Sequence, residues 1–219
     1  MTALRTTTVS LVASIQHVLF DADGVLQEIR GGFYASAAPL LGDRAREILD
    51  LASERERPLL TGGDTGDGDF LPILDDVLRQ FDVDVRGADL FAAVWQNIAT
   101  SAASLDLVRG LRAAGYGVHL GTNQVRNRAE HMRAALPYDE LFDVKLYSCE
   151  VGVAKPDAAF FRTAATRIGA EPATVLFIDD HSSNVESARS TGMPAVDWHI
   201  SHGHDVLLRL LAEHGVAPE

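Results

Sequence analysis

The feature that most restricts how this chain can fold is a recurring pattern. Short apolar runs stop abruptly at acidic or polar residues, and helix-forming stretches of about a dozen residues separate them. The run IQHVLF at 15–20 ends in DADG, and YGVHLG at 116–121 ends in Thr122 and Asn123. VKLYS (144–148), TVLFID (174–179) and PAVDW (194–198) follow the same style, each partly β-branched or aromatic. Apolar runs of this length bounded by turn-forming residues read as buried strands. Segments 124–136, 157–169, 182–191 and about 203–214 read as helices, with Asp157 and Gly169 suited to the start and stop of theirs. Strands alternating with helices build βαβ units. The expected class is α/β, a Rossmann-like parallel sheet flanked by helices.

Residues 27 to about 100 break the alternation. They hold helix-like segments at roughly 34–41, 43–56, 70–81 and 87–99 and little strand signal, before 104–114 returns to the sheet. A structureless connection of that length is implausible inside a compact domain. The economical reading is an inserted α-helical cap domain at 27–99, with residues 1–26 and 100–219 forming the core domain. Within the insert, TGGDTGDGD at 61–69 reads as a flexible loop whose Asp69 caps the next helix. Phe91 and Trp95, four apart on a helix, read as core of the insert. The terminal APE is expected to fray.

Charge narrows the partners. Of 219 residues, 19 are Lys or Arg and 31 are Asp or Glu, a net charge of −12. A chain without a basic footprint disfavours nucleic-acid and anionic-membrane partners. No apolar run approaches the ~20 residues of a membrane span. The first two dozen residues, interrupted by Thr, Ser, Gln and His, do not read as a signal peptide. With one cysteine, Cys149, there is no internal disulfide, and the expected compartment is the cytoplasm. Cys149 itself reads as a partly buried filler.

Ligands of open parallel sheets bind outside the carboxyl ends of the strands. Asp21 and Asp23 stand after the first strand here, Thr122 and Asn123 after the second, Lys155 soon after the third, and Asp179 and Asp180 at the end of the fourth. Lysine occurs only at 145 and 155, so its use in this crevice is a choice over arginine. Two unit charges 4 Å apart repel by about 4 kcal/mol at an effective dielectric of 20, so clustered carboxylates require protonation or a hard cation. Mg²⁺ suits oxygen ligands and substrate phosphate, and Lys155, Thr122 and the amides opening the 124–136 helix suit phosphoryl oxygens. On extended backbone, residues i and i+2 point the same way. One of the two carboxylates can therefore attack phosphorus while the other stands near the leaving oxygen, where a proton is exchanged.

Taken together, FDADGVL (20–26), LGTNQ (120–124), VGVAKPD (151–157) and LFIDDHSSN (176–184) resemble, in order, the motifs of the haloacid dehalogenase-like (HAD) hydrolase superfamily. The resemblance spans the sheet domain and implies a helical first-type cap. It implies Asp21 as nucleophile and Mg²⁺ ligand, and Asp23 as general acid and base whose carbonyl also reaches the metal. Thr122, Asn123 and Lys155 would bind phosphate. Asp180 would be the direct metal carboxylate with Asp179 acting through a bound water, the reverse order staying open, and Asn184 would add an outer contact. Gly24 to about Phe33 would sense cap closure. Dehalogenases of the superfamily lack the second carboxylate and use no metal, so Asp23 favours a Mg²⁺-dependent phosphatase acting on a small phosphorylated metabolite. The alternatives are a sugar-phosphate mutase, a response-regulator-like phosphoacceptor module, and a silent metabolite-binding relative. His181 reads as solvent-facing and neutral, and His199, His202 and His204 as surface residues. Substrate and oligomeric state are beyond the sequence.

Overall fold

The computed structural model describes residues 14–62 and 69–219. In chain order the strands are β1 (His17–Phe20), β2 (Gln27–Ile29), β3 (Ile98–Thr100), β4 (Gly117–Thr122), β5 (Val144–Tyr147), β6 (Val175–Asp179) and β7 (Ala195–Asp197). The helices are α1 (Phe33–Leu41), α2 (Ala45–Glu56), α3 (Leu71–Gln80), α4 (Gly87–Ala93), α5 (Ala102–Ala113), α6 (Arg126–Ala135), α7 (Tyr138–Leu141), α8 (Ser148–Val151), α9 (Ala158–Ile168), α10 (Ser182–Ser190) and α11 (His204–Glu213). The main sheet has the order β5-β4-β1-β6-β7 with every pairing parallel. Phe20 is level with Leu120 on one side and Ile178 on the other. That register carries Asp21, Thr122 and Asp179 to one edge of the sheet.

The period-2 alternation of the strands sorts the core. Val18, Phe20, Leu120 and Ile178 face a cluster closed by Leu105, Val108, Met132, Tyr138 and Leu211. Leu19, Val175 and Phe177 face the opposite cluster, closed by Phe160, Phe161, Val185 and Ala188. Helix α9 has its expected ends: Asp157 Oδ1 accepts from the Ala159 amide at 2.8 Å, and Gly169 stops it at φ +77°. A third cluster, including Ile48, Leu49, Leu74, Val77, Leu90, Phe91 and Trp95, lies mostly within the insert and is joined by Val125 at the start of α6. Fully burying such side chains contributes about 1.5–3 kcal/mol each, so the cluster both stabilises the insert and ties it to α6. Phe91 and Trp95 stack within it at 6.0 Å, as expected.

The structure corrects the expected elements in four places. The helix over 87–99 ends at Ala93, and Ile98–Thr100 pairs antiparallel with Gln27–Ile29 in a ribbon where the insert leaves and rejoins the sheet. Short helices α7 and α8 flank β5 where none was expected. Asp69 accepts from the Leu71 amide at 3.0 Å, but from one residue before the Phe70 N-cap position. The terminal residues dock on α5, the Glu219 amide donating to the Gly110 carbonyl at 3.3 Å. Of the 61–69 loop, residues 63–68 lie outside the described residues. No described helix is long and apolar enough to cross a membrane.

Candidate active site

Strand β1 ends at Phe20, and the chain turns sharply at Gly24 (φ +74°). Only glycine fits there: a Cβ would lie 2.5 Å from Asp180 Oδ2. The turn thus brings the β1 loop onto the carboxylate that follows β6.

Asp21 is buried. Its Oδ1 accepts from the Ala22 amide at 2.7 Å and meets Lys155 Nζ at 2.8 Å. Among the described residues no group donates to Oδ2. Lys155 also reaches Asp179 Oδ2 at 2.6 Å, so one ammonium joins the ends of β1 and β6. Burial pushes the Asp21 carboxyl far above the usual range, with Lys155 pulling against it and Asp179 adding to the rise. Burial opposes the charge of Lys155, but Asp21 and Asp179 overcome it and hold the ammonium above its ordinary pKa. The Asn123 amide grips the Lys155 backbone from both sides, donating to its carbonyl at 2.8 Å and accepting from its N–H at 2.9 Å. Asn123 therefore fixes the lysine loop.

Asp179 is fully buried and fully engaged. Besides Lys155, it accepts from the His181 amide at 2.8 Å and from Asn184 Nδ2 at 3.0 and 3.1 Å. Asp180 is freer. Its Oδ1 meets His181 Nδ1 at 2.8 Å, and no described group donates to its Oδ2. Burial opposes a charge on His181, but its hydrogen bond to Asp180 and the charges of Asp180 and Asp179 outweigh it and raise the imidazole pKa above its ordinary value. Asp179, Asp180 and His181 offer ligand atoms within 4.8 Å of one another. The donor chemistry of the site fits Mg²⁺: one carboxylate oxygen each of Asp21 and Asp180 has no partner among the described residues, while Asp179 is engaged by Lys155, His181 and Asn184.

Asp23 has a setting no sequence pattern signalled. Arg128 of α6 grips it with two hydrogen bonds, Nη1 to Oδ2 at 2.6 Å and Nη2 to Oδ1 at 2.7 Å. Gln27 and Gln124 add bonds at 3.0 and 2.9 Å. Burial would raise the carboxyl, but Arg128 and these amides hold it below its ordinary pKa. Arg128 is itself positioned by the Trp95 carbonyl at 2.8 Å and Gln124 Oε1 at 3.0 Å. Gln124 also donates to Thr122 Oγ1 at 2.9 Å, leaving the Thr122 hydroxyl proton available to a ligand. The one legible hint was spacing, since Gln124 and Arg128 stand four apart at the start of a predicted helix.

Asp21, Asp23, Thr122, Lys155 and Asn184 line a cavity of about 300 Å³. A larger space of about 630 Å³ adjoins it, bounded by Asp23, Arg128 and Asp180 on the sheet side and by Phe33, Glu56 and Trp95 on the insert side. Glu56 Oε1 accepts from Trp95 Nε1 at 3.0 Å, and burial pushes its carboxyl up to about 7. Of the remaining candidates, Cys149 is half-buried and its thiol is pushed up to about 11 by burial, which leaves it unreactive. His199 and His202 sit near the surface, and His204 Nε2 is tied to Ser104 Oγ at 2.9 Å.

Known proteins share this fold. The Thermotoga maritima protein "Phosphorylated carbohydrates phosphatase" is 23% identical over 192 residues, covering 83% of this chain and 84% of that protein. Mouse "Bifunctional epoxide hydrolase 2" is 27% identical over 202 residues, 82% of this chain but 36% of that protein. The chain spans only 11–36% of the length of the curated relatives matched first. A HAD family enzyme of Bacteroides thetaiotaomicron, solved as its magnesium complex, superposes with a TM-score of 0.73 at 22% identity, covering 90% of this chain and all of that one. Residues 15–192 match the haloacid dehalogenase-like hydrolase family, and the chain belongs to it.

Proposed function

We propose that this hydrolase is a Mg²⁺-dependent phosphoric monoester hydrolase acting on a small phosphorylated metabolite through an aspartyl phosphate on Asp21. The observation that carries the reading is the asymmetry of the Asp21 carboxylate. One oxygen is locked by the Ala22 amide and Lys155, while the other has no described partner and belongs to a residue lining the smaller cavity. A nucleophile needs such an arrangement, oriented but uncommitted. The Thermotoga phosphatase and a Bacteroides relative solved with magnesium and inorganic phosphate support it.

In this reading an Asp21 oxygen forms a bond to phosphorus as the bond to the leaving oxygen breaks. Asp23 supplies the proton that oxygen takes up. Asp23, now ionised, accepts a proton from water as the water attacks the phosphoenzyme, freeing phosphate and regenerating Asp21. Lys155 and Thr122 hold the phosphoryl oxygens, and Asn123 keeps Lys155 in register. Asp21, the Asp23 carbonyl and Asp180 would hold Mg²⁺, which supplies charge neutralisation for the transferring group. Segment 27–99 acts as the cap over the site. A screen of phosphate esters with free phosphate as readout tests this. Asp21→Asn should lower turnover by at least ~10³-fold, and chelation should abolish it until Mg²⁺ is restored. Turnover that survives Asp21→Asn unchanged would overturn the proposal.

A further inference from the structure

The larger cavity poses a question the phosphoryl machinery does not answer, namely what its insert side recognises. Asp23, Asn123 and His181 line both cavities, so an ester with its phosphoryl group beside Asp21 extends its leaving group past Asp23 into the larger space. At about 630 Å³ this space has the size of a small-molecule site. Phe33, Leu60 and Trp95 give it apolar walls.

Among those walls Glu56 stands out. Its Oε1 is held by the Trp95 indole N–H at 3.0 Å, and no described group donates to Oε2. The nearby guanidinium of Arg128 is committed to Asp23, Gln124 and the Trp95 carbonyl and makes no hydrogen bond to Glu56. Three further carboxylates, Asp23, Glu28 and Asp180, line the same cavity and outnumber its one guanidinium, Arg128. An incoming leaving group therefore meets an oriented acceptor and a negative field. From this we infer that Glu56 selects the substrate: it accepts a hydrogen bond from a hydroxyl or ammonium of the leaving group and disfavours esters bearing a second anionic group. The inference rests on the phosphatase reading for where the phosphoryl group sits.

Three matched probes separate the possibilities: glucose 6-phosphate, glucosamine 6-phosphate and 6-phosphogluconate. Their binding is measured by calorimetry with Mg²⁺ on the Asp21→Asn protein, with and without Glu56→Gln or Glu56→Ala, and kcat/KM is measured on the single Glu56 variants. With Glu56 present, the neutral or ammonium ester should bind at least ~10-fold more tightly than 6-phosphogluconate, as expected for one charged hydrogen bond or one like-charge contact. Glu56→Gln should narrow that gap by raising affinity for 6-phosphogluconate. If the natural donor is an ammonium, Glu56→Gln also weakens glucosamine 6-phosphate by ~10-fold; if it is a hydroxyl, only Glu56→Ala weakens the neutral ester. Equal binding of all three probes, or a preference unchanged in both variants, overturns the inference. Selective binding without turnover of any ester would instead overturn the phosphatase reading and leave the selection by Glu56 standing.

Discussion

Asp23 is the most heavily held carboxylate on the exposed side of the site, and Arg128 does most of the holding. A planar guanidinium bonded to both carboxylate oxygens stabilises the ionised form. In the proposed mechanism that would suit the step in which Asp23 takes a proton from water and work against the earlier step in which it gives one up. Arg128 would then set the balance between the two halves of the reaction. Lysine cannot reproduce the two-pronged contact, so Arg128→Lys should lower kcat, and Arg128→Met more so, by roughly 10-fold or more. The sign of the pH effect follows from the cause. Arg128 lowers the Asp23 pKa, so removing it raises that pKa and moves the alkaline limb of kcat/KM, where a general acid loses its proton, to higher pH. An alkaline limb that stays in place in Arg128→Met would show that Asp23 does not govern it. The carboxylates and Lys155 were legible because each stands beside a strand end, where chain direction alone fixes the placement. Arg128, Gln27 and Glu56 were not, because their roles depend on which face of a helix or cap residue meets the cavity.

The central main-sheet strands β1, β4 and β6 were legible for the same local reason: each is an apolar run long enough to show its burial on both faces. The β2–β3 ribbon is three residues on each side, too short to alternate, and it exists only because residues some seventy positions apart pair. Strand β4 also carries a feature that looked like ordinary strand sequence. His119 is 3% exposed and lies 3.1 Å from His17 on β1, Nε2 to Nδ1. Burial holds the His119 imidazole down to about 4, with His17 adding to the fall and Asp143 opposing it. A histidine whose folded pKa lies below the ordinary 6.5 is neutral in the fold and takes up a proton more readily when unfolded. Its contribution is therefore intact above pH ~6.5 and declines as pH falls towards 4, by about 2 kcal/mol at pH 5. Urea unfolding of the wild type at pH 7.5 and pH 5 should show this drop, and His119→Gln should flatten it. Equal pH dependence in both proteins would assign the acid sensitivity to other groups.

Across the whole molecule, the net charge of −12 meets a site whose own cations are already spent. Lys155 is shared between Asp21 and Asp179, Arg128 is bound to Asp23, and Asp180 meets the His181 imidazole, while Glu56 has no ion-pair partner among the described residues. If the protein is the phosphatase proposed above, a phosphate dianion approaching the metal-free protein would meet this acidic surface, and the metal would be a condition for binding as well as for chemistry. With Mg²⁺ saturating, the two ranges part. Contacts with buried site groups such as Lys155 are screened little by salt, whereas repulsion from the distant surface is screened beyond the Debye length, about 8 Å at 0.15 M and about 30 Å at 0.01 M. Raising ionic strength between those limits at fixed, saturating Mg²⁺ should therefore lower KM for a phosphate ester and leave kcat nearly constant. This is the reverse of the salt response of enzymes that steer anions with basic surfaces. A KM that climbs with salt would mean that a positive field around the metal and Lys155 reaches past the acidic surface, and that net charge does not control how substrate arrives.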